Sequence, residues 1–149
     1  VTIRNANIND VDTVYKWQLN PNTRRYFHDS NVPQYDKHIE WFDKILDEPS
    51  RFFYIIEHKN KAAGVLRLDY QENTPNGYYL ISIYVAPEHY KQGIGTIALG
   101  YTDRLFGDSD LRAEVDQKNI ASIKLFMKAG YIKSNEHDLY IKNVKNRMV

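Results

Sequence analysis

The stretch Tyr84-Val-Ala-Pro-Glu-His-Tyr-Lys-Gln-Gly-Ile-Gly-Thr96 decides the fold of this chain, because it joins a strand to a helix through a glycine-containing turn. Gly93 and Gly95 bring backbone N–H groups to the start of that helix. Such amides have no intrahelical partner and lie at the positive end of the helix dipole, an arrangement that favours a phosphate. A single Gly-x-Gly is also common in ordinary turns. The flanking sequence therefore has to decide between a phosphate site and a plain turn.

Before this turn the sequence predicts a strand, two helices and an antiparallel meander. Thr2–Arg4 alternates apolar and polar residues, and Asp10 is placed to cap a helix that continues to Trp17. The segment Asn20–Arg24 is expected to break that helix. Apolar residues then recur at helical spacing between residues 33 and 46. Three strand-like runs at short spacing predict the meander. These runs are Arg51–Glu57, Ala62–Tyr70 and Gly77–Val85.

After the turn the pattern alternates between helices and strands. Together with the meander it predicts a mixed α/β fold with one predominantly antiparallel sheet and helices on both faces. The length suits a single domain over residues 1–149. The elements expected here are a helix over Ile94–Phe106, a strand over Leu111–Val115, a helix over Asn119–Lys128 that Gly130 ends, and a strand pair over Tyr131–Lys133 and Leu139–Ile141.

The composition excludes several function classes. The net charge of +1 argues against a nucleic-acid partner, and the absence of cysteine removes disulfides, thiolate metal sites and a cysteinyl acyl-enzyme. The five histidines lack metal-ligand spacing, so no metal is expected. The sequence shows neither an apolar run of about 18 residues nor a signal peptide, which favours a cytoplasmic protein without a membrane partner. Because the chain begins with Val1, a fused or partner domain stays open.

Two segments resemble the signature segments of the GNAT superfamily of acetyl-CoA-dependent N-acetyltransferases. The first is the strand Leu80–Val85 with its glycine turn, and the second is Asn119-Ile-Ala-Ser-Ile-Lys-Leu-Phe-Met-Lys-Ala-Gly-Tyr131. The resemblance implies a GNAT-like sheet with a splayed strand pair and acetyl-CoA as cosubstrate. Its diphosphate would lie on the amides of the glycine turn, and its pantetheine arm between the splayed strands. The implied cofactor-binding residues are Ile83, Val85, Gln92, Gly93, Ile94, Gly95, Thr96, Asn119 and Ser122.

The chain departs from this pattern at two places. Tyr90 and Lys91 stand where the family usually has Arg or Gln followed by Gly. These side chains need not contact the diphosphate, because backbone N–H groups would bind it. Phe126 stands where many members carry the tyrosine that protonates the departing thiolate. Phenylalanine cannot donate a proton, so the proton donor is unassigned. The simpler interpretation of Phe126 is a core aromatic at helical spacing.

The first third of the chain resembles a narrower branch of the superfamily. Asn20-Pro-Asn-Thr-Arg24 followed by His38-Ile-Glu-Trp-Phe42 is similar to enzymes that acetylate nucleotide-linked amino sugars, of the pseudaminic acid pathway type. This resemblance implies a primary amine on a sugar nucleotide as acceptor. It also implies that His38 and Glu114 act around that amine, with water between.

Amine acetylation requires a base, because a protonated amine is not a nucleophile and has to lose a proton before it attacks the thioester. Glu114 is a candidate because it lies mid-strand, where burial would raise the pKa of its carboxyl. The alternative is a solvent-facing or salt-bridged glutamate, paired with Arg112 or Arg67. For His38 the alternative is a place on the polar face of an amphipathic helix.

The remaining candidates concern acceptor binding. Arg67 and Asp69 share a strand face, so they could meet sugar-nucleotide phosphates or form a surface ion pair. Arg24, beside Arg25, could meet an acceptor diphosphate, and Tyr84 could hydrogen-bond in the cleft. Two rival functions stay open at this point: a protein, peptide or small-amine N-acetyltransferase, and a non-catalytic acyl-CoA-binding regulatory domain.

Overall fold

The structure, a computed structural model, describes residues 1–24 and 33–144, with only the backbone of Asn22 and Arg24. Over these residues one seven-stranded sheet has the order β1-β2-β3-β4-β5-β7-β6. The strands are β1 (Thr2–Asn5), β2 (Arg51–His58), β3 (Lys61–Gln71), β4 (Tyr78–Val85), β5 (Leu111–Glu114), β6 (Ile132–Lys133) and β7 (Leu139–Lys142). The helices are α1 (Val11–Gln18), α2 (Pro21–Arg24), α3 (Tyr35–Leu46), α4 (Ile94–Leu105) and α5 (Ile120–Lys128).

The sheet carries helices on both faces, as the sequence predicts. Consecutive side chains of a strand point to opposite faces, so Ile55 and Ile56 are both buried but enter different clusters. Ile56 packs in the cluster that α4 and α5 cover, and Ile55 in the cluster that α1 and α3 cover. The first face is centred on Leu66, Leu68, Leu99, Leu111 and Phe126, and the second on Val14, Trp17, Phe42, Ile45 and Phe53.

The parallel pair β4–β5 separates soon after it forms. Its register contains Tyr79 opposite Leu111 and Leu80 opposite Arg112, and no later pair. Each strand keeps a partner on its other edge, because β3 follows β4 up to the pair Gly64–Val85 and β7 follows β5 up to the pair Glu114–Leu139. The two strands can therefore diverge without losing their place in the sheet, and the splayed pair expected from the sequence is confirmed.

Asp10 occupies the N-cap position of α1, as expected, and α1 ends before the segment Asn20–Arg24 that was expected to break it. The Asp10 side chain accepts hydrogen bonds from the Asn7 N–H and from Arg4, and it makes no hydrogen bond that caps α1. Burial alone would raise the pKa of Asp10, but these hydrogen bonds outweigh it and lower the pKa. The segment after α1 also does more than break the helix, because Pro21 opens the short helix α2. Proline is compatible with a first helical position, where its missing N–H has no partner to lose.

Gly130 ends α5 as expected. It has a φ of 96° and follows the C-cap residue Ala129. The amide of Gly130 bonds to the Met127 carbonyl and the amide of Tyr131 to the Phe126 carbonyl, which is the Schellman pattern.

Gly64 tests how closely β3 and β4 approach beside the splay. A Cβ at Gly64 would overlap the Tyr84 carbonyl oxygen and lie 3.0 Å from the Val85 Cα. We expect Gly64→Ala to destabilise the protein by about 1–3 kcal/mol, because neither neighbour is a side chain that can move aside. Gly100→Ala in α4 is the control, since a Cβ there meets nothing within 4 Å. It should stabilise by up to about 1 kcal/mol. Urea unfolding of both variants measures the difference, and equal stabilities would contradict the packing.

Candidate active site

A continuous groove of about 1790 Å³ runs along the separated strands β4 and β5. Glu114, at the end of β5, lines it. We call one part the loop end, lined by Lys91–Thr96 and Asn119–Ser122, and the other the aromatic end. The aromatic end is lined by Val14, Gln18, His38, Trp41, Phe53, Arg67 and Tyr84.

The loop end is built by a turn with two left-handed residues. Lys91 has a φ of 63° and Gly93 a φ of 73°, and Gly93 then serves as the N-cap of α4 without a side-chain hydrogen bond. The first intrahelical bond reaches Gly93 from the Ile97 amide. The amides of Ile94, Gly95 and Thr96 therefore precede the first turn's bonding and point outward from the helix start. Amides in this position suit a phosphate, and the binding of a diphosphate here stays a prediction.

Lys91 shows how the chain accommodates its departure from the family pattern. A lysine has a Cβ, so a left-handed backbone costs it on the order of 1 kcal/mol that a glycine would not lose. The turn nevertheless keeps its conformation, and the exposed Lys91 side chain adds a positive charge to the groove wall.

Gly95 sets the distance between α4 and α5. A Cβ at Gly95 would lie 3.1 Å from a Leu125 methyl carbon, which is closer than ordinary packing. Asn119 caps α5 with its side chain, whose oxygen accepts a hydrogen bond from the Ser122 amide at 3.2 Å. Asn119 and Ser122 thus lie on the groove, as expected. Asn119 also caps the start of α5. Its contact with a pantetheine arm stays a prediction.

The aromatic end combines aromatic rings with the guanidinium of Arg67. Trp41 and Phe53 have ring centroids 5.9 Å apart, and the Arg67 guanidinium lies 5.6 Å from the Trp41 ring centroid. Arg67 also donates to Asp69 at 3.2 Å, and Asp69 is buried and lies 3.6 Å from Arg51. The ion pair that the sequence left open is therefore present. Arg67 lines the groove, so the Arg67–Asp69 ion pair lies at the groove wall.

His38 is buried, so it does not lie on the polar helix face that was the alternative to a place near the acceptor. It is 3% exposed, and its ring packs against Tyr15 and Trp41 with centroids 5.0 and 5.8 Å away. The signal was present in the sequence, because His38 precedes the buried Phe42 by four residues and so shares its face. Its Nε2 atom is buried, and no hydrogen bond from a described residue reaches it.

Burial also sets the charge of His38. Loss of solvent lowers the pKa of the imidazole below 6.5, although the Val11 backbone and the Asp12 carboxylate act in the opposite direction. The ring is therefore neutral at pH 7 and able to accept a proton.

Glu114 lines the groove and is exposed, so of the two alternatives that the sequence left open the structure shows the solvent-facing glutamate and not the buried one. The reason is the divergence of β4, which leaves the end of β5 open toward the groove. The role of Glu114 as a base stays a prediction, and its support is its location beside the cavity.

Phe126 is the core aromatic that its spacing indicates. It is 3% exposed and packs against Tyr131 with ring centroids 5.0 Å apart.

Tyr84 lines the groove from β4 and receives a hydrogen bond from the Gln18 side chain at 3.4 Å. Gln18, Trp41 and Phe53 are groove residues that the sequence reasoning missed, although the helical spacing of Trp41 from His38 could have indicated it.

The two arginines expected near an acceptor diphosphate are not placed by the structure. Arg24 ends α2, but its side chain lies outside the described part of the chain, and Arg25 lies wholly outside it. Within residues 1–24 and 33–144, no three metal-ligating side chains come together, and no helix is long and apolar enough to cross a membrane.

Comparison with known proteins identifies the class. The profile of the acetyltransferase (GNAT) family matches residues 11–131, which is most of the chain. The protein belongs to the GNAT acetyltransferase family. It is therefore an N-acetyltransferase with acetyl-CoA as cosubstrate, as the sequence predicts. No curated protein sequence matches the chain.

Solved structures share the fold at low sequence identity. The aminoglycoside acetyltransferase AAC(6')-Ib in complex with coenzyme A and kanamycin is 16% identical, with a TM-score of 0.85 over 99% of this chain and 96% of that one. A domain from Methanocaldococcus jannaschii is 22% identical, with a TM-score of 0.78 over 95% and 97%. Spermidine N-acetyltransferase from Vibrio cholerae, in complex with CoA and spermine, is 18% identical, with a TM-score of 0.76 over 95% and 91%. The comparisons give no support for the nucleotide-sugar branch.

His38 predicts a specific pH dependence of stability. Because its pKa is lower in the folded state, the unfolded state binds more protons near pH 6.5. The stabilisation is fully present above pH 6.5 and is lost as the pH falls from 6.5 through the folded pKa. We expect the free energy of unfolding of the wild type to fall more steeply between about pH 7 and pH 5 than that of His38→Gln. Parallel slopes from urea titrations at each pH would contradict a buried neutral imidazole.

Proposed function

We propose that this protein transfers the acetyl group of acetyl-CoA directly to the primary amine of an amino sugar, and that the sugar is linked to a nucleotide. The observation that carries the proposal is the continuous groove, which joins the glycine turn to aromatic rings and the guanidinium of Arg67. Glu114 stands on the groove wall at the splay. Donor and acceptor can thus enter one cavity and meet where β4 and β5 separate.

The donor would bind at the loop end. The unpaired amides of Gly93, Ile94, Gly95 and Thr96 suit a diphosphate, and Gln92 is beside them. A pantetheine arm contains two amide groups, which can pair with the backbone of β4 near Ile83 and Val85 in the manner of an added strand. Asn119 and Ser122 face the same passage from the start of α5.

The acceptor amine needs to lose a proton before it attacks the thioester carbonyl. Glu114 can take that proton through a water, since it is exposed to the groove. His38 is a second acceptor, because its imidazole is neutral and its Nε2 is buried without a bond to a described residue. The nitrogen then forms a bond to the carbonyl carbon, the carbon–sulfur bond breaks, and the amide loses its second proton to water or base.

Phe126 does not prevent this chemistry. The leaving group is a thiolate, and an alkyl thiol such as that of cysteine has a pKa of about 8.5, so the sulfur is a modest base. It can leave as the anion and take a proton from water afterwards. An enzymic acid would accelerate the step but is not required for it.

The aromatic end favours a sugar nucleotide as the acceptor. Trp41 offers an aromatic side chain on the groove wall against which a sugar or base can pack, and Arg67 beside it offers a guanidinium for a phosphate. A polyamine is the second candidate, because the groove wall also carries the carboxylates of Glu114 and Asp116. Positively charged amines would be attracted to them.

A panel of acceptors decides between these candidates. We expect CoA release with UDP-linked 4-amino sugars and at least about tenfold lower kcat/KM with spermidine and N-terminal peptides, since each tenfold step needs only about 1.4 kcal/mol of differential binding. Turnover confined to polyamines or peptides would reject the sugar nucleotide. Calorimetry that detects no binding of acetyl-CoA would reject the donor site as well.

Glu114→Gln tests the base. We expect kcat to fall by about 10²–10⁴-fold with little change in acetyl-CoA affinity, because an amide has the shape of the carboxylate but accepts no proton. Glu72→Gln is the matched control, since Glu72 is exposed beyond the end of β3 and does not line the groove. Equal kcat in wild type and Glu114→Gln would remove Glu114 from the mechanism and leave His38.

A further inference from the structure

A histidine and an aspartate that the proposed reaction does not use line the groove. His137 and Asp138 lie in the loop between β6 and β7, and both contribute to the groove wall. The His137 Nε2 atom lies 3.1 Å from the Asp138 Oδ2 atom. A carboxylate only accepts hydrogen bonds, so the ring nitrogen that faces it carries a proton. The other ring nitrogen, Nδ1, is therefore the one that can exchange a proton with a ligand.

The backbone holds this pair beside the end of β5. Glu114 is directly opposite Leu139 in the antiparallel pair of β5 and β7, where facing Cα atoms are about 4.5–5.5 Å apart. Asp138 is the next residue, and its carbonyl accepts a hydrogen bond from the Val115 amide at 2.8 Å. Because β5 ends at Glu114, the loop before β7 reaches the groove past the end of that strand.

The Asp138 carboxylate is held more firmly than the ring that it contacts. Asp138 has a φ of 59°, a left-handed conformation that aspartate adopts more readily than most residues with a Cβ. Its side chain is 22% exposed, and its Oδ1 atom is buried without a hydrogen bond to a described residue. The His137 side chain is 89% exposed. The carboxylate can thus orient the imidazole, while the imidazole stays in contact with water.

The leaving sulfur is the one reacting atom for which the proposed reaction names no protein group. Phe126 is buried in the core and has no proton to donate. Glu114 and His38 are assigned to the acceptor amine. An imidazole suits the task at the sulfur, because histidine changes charge between about pH 5 and pH 8 and can give and regain a proton near neutral pH.

We propose that His137 is the general acid of the acetyl transfer and that Asp138 is its positioning residue. When the carbon–sulfur bond breaks, its electron pair goes to the sulfur, and the proton on Nδ1 of the imidazolium moves to that sulfur. The step releases coenzyme A as the thiol and leaves a neutral imidazole, which regains its proton from the solvent. The inference rests on the proposed acetyl transfer at the splay, and it assigns the role that Phe126 leaves open.

Steady-state kinetics with the best acceptor of the panel tests the assignment. We expect His137→Gln to lower kcat by about 10²-fold, at the lower end for general acid–base catalysis because a thiolate can also leave without an acid. The KM for acetyl-CoA should stay unchanged, since the proton moves only in the transition state. Equal kcat in wild type and His137→Gln, or a raised KM with an unchanged kcat, would overturn the assignment.

Asp138→Asn separates positioning from a structural role, because asparagine also tolerates the left-handed backbone. It should lower kcat by about tenfold, since a misplaced acid works less well. In the double variant with His137→Gln, the loss should equal that of His137→Gln alone, because a carboxylate that acts through the ring has no effect once the ring is gone. An equal loss from Asp138→Asn in both backgrounds would contradict the positioning role.

The matched control is Glu136→Gln, which removes an exposed carboxylate from the same loop outside the groove. It should keep the kcat of the wild type. Urea unfolding of each variant should show that the kinetic losses do not follow stability. If the wild type releases no coenzyme A with any acceptor of the panel, the proposed function fails and the assignment of His137 fails with it. Turnover by the wild type that His137→Gln leaves intact would overturn the assignment alone.

Discussion

The divergence of β4 from β5 is the constraint on which the site depends. In a closed sheet, the facing edges of these strands would exchange backbone hydrogen bonds, each with a net value of about 0.5–1.5 kcal/mol. The strands give up this pairing after Leu80 and Arg112. They can do so because β3 and β7 hold their outer edges, so the loss is local and the sheet survives. The edge of β4 near Ile83 and Val85 is left for water or for a ligand with amide groups of its own.

The same divergence explains the arrangement of charges. The open space at the end of β5 leaves Glu114 exposed on the groove. On the far side of the groove, α1 and α3 close over His38 and remove it from water, which keeps its imidazole neutral. Two potential bases thus reach one cavity in opposite environments. The glycine turn, with Lys91 on it, lines another part of the same cavity.

Much of the fold could be predicted from the sequence. The meander followed from alternation and turn residues, and the observed strands begin and end within a residue of the expected ones. The glycine turn and the Asn119 helix, through their resemblance to a known family, indicated the splayed strand pair that local patterns cannot give. What could not be predicted was which faces are covered. Periodicity shows that Glu114 and His38 each lie on a definite side of an element, but not whether another element packs there. Asp10 is the N-cap residue of α1, but the partners of its side chain could not be predicted for a related reason, because Arg4, which donates to it, lies on strand β1.

The central claim is that the groove opened by the splay receives the acyl donor. A crystal structure of the protein grown with coenzyme A tests it most directly. The account predicts the diphosphate on the amides of Ile94, Gly95 and Thr96, and the pantetheine arm between β4 and β5 with backbone hydrogen bonds near Ile83 and Val85. Coenzyme A bound elsewhere on the surface, or β4 and β5 paired along their length with the cofactor absent at saturating concentration, would contradict it.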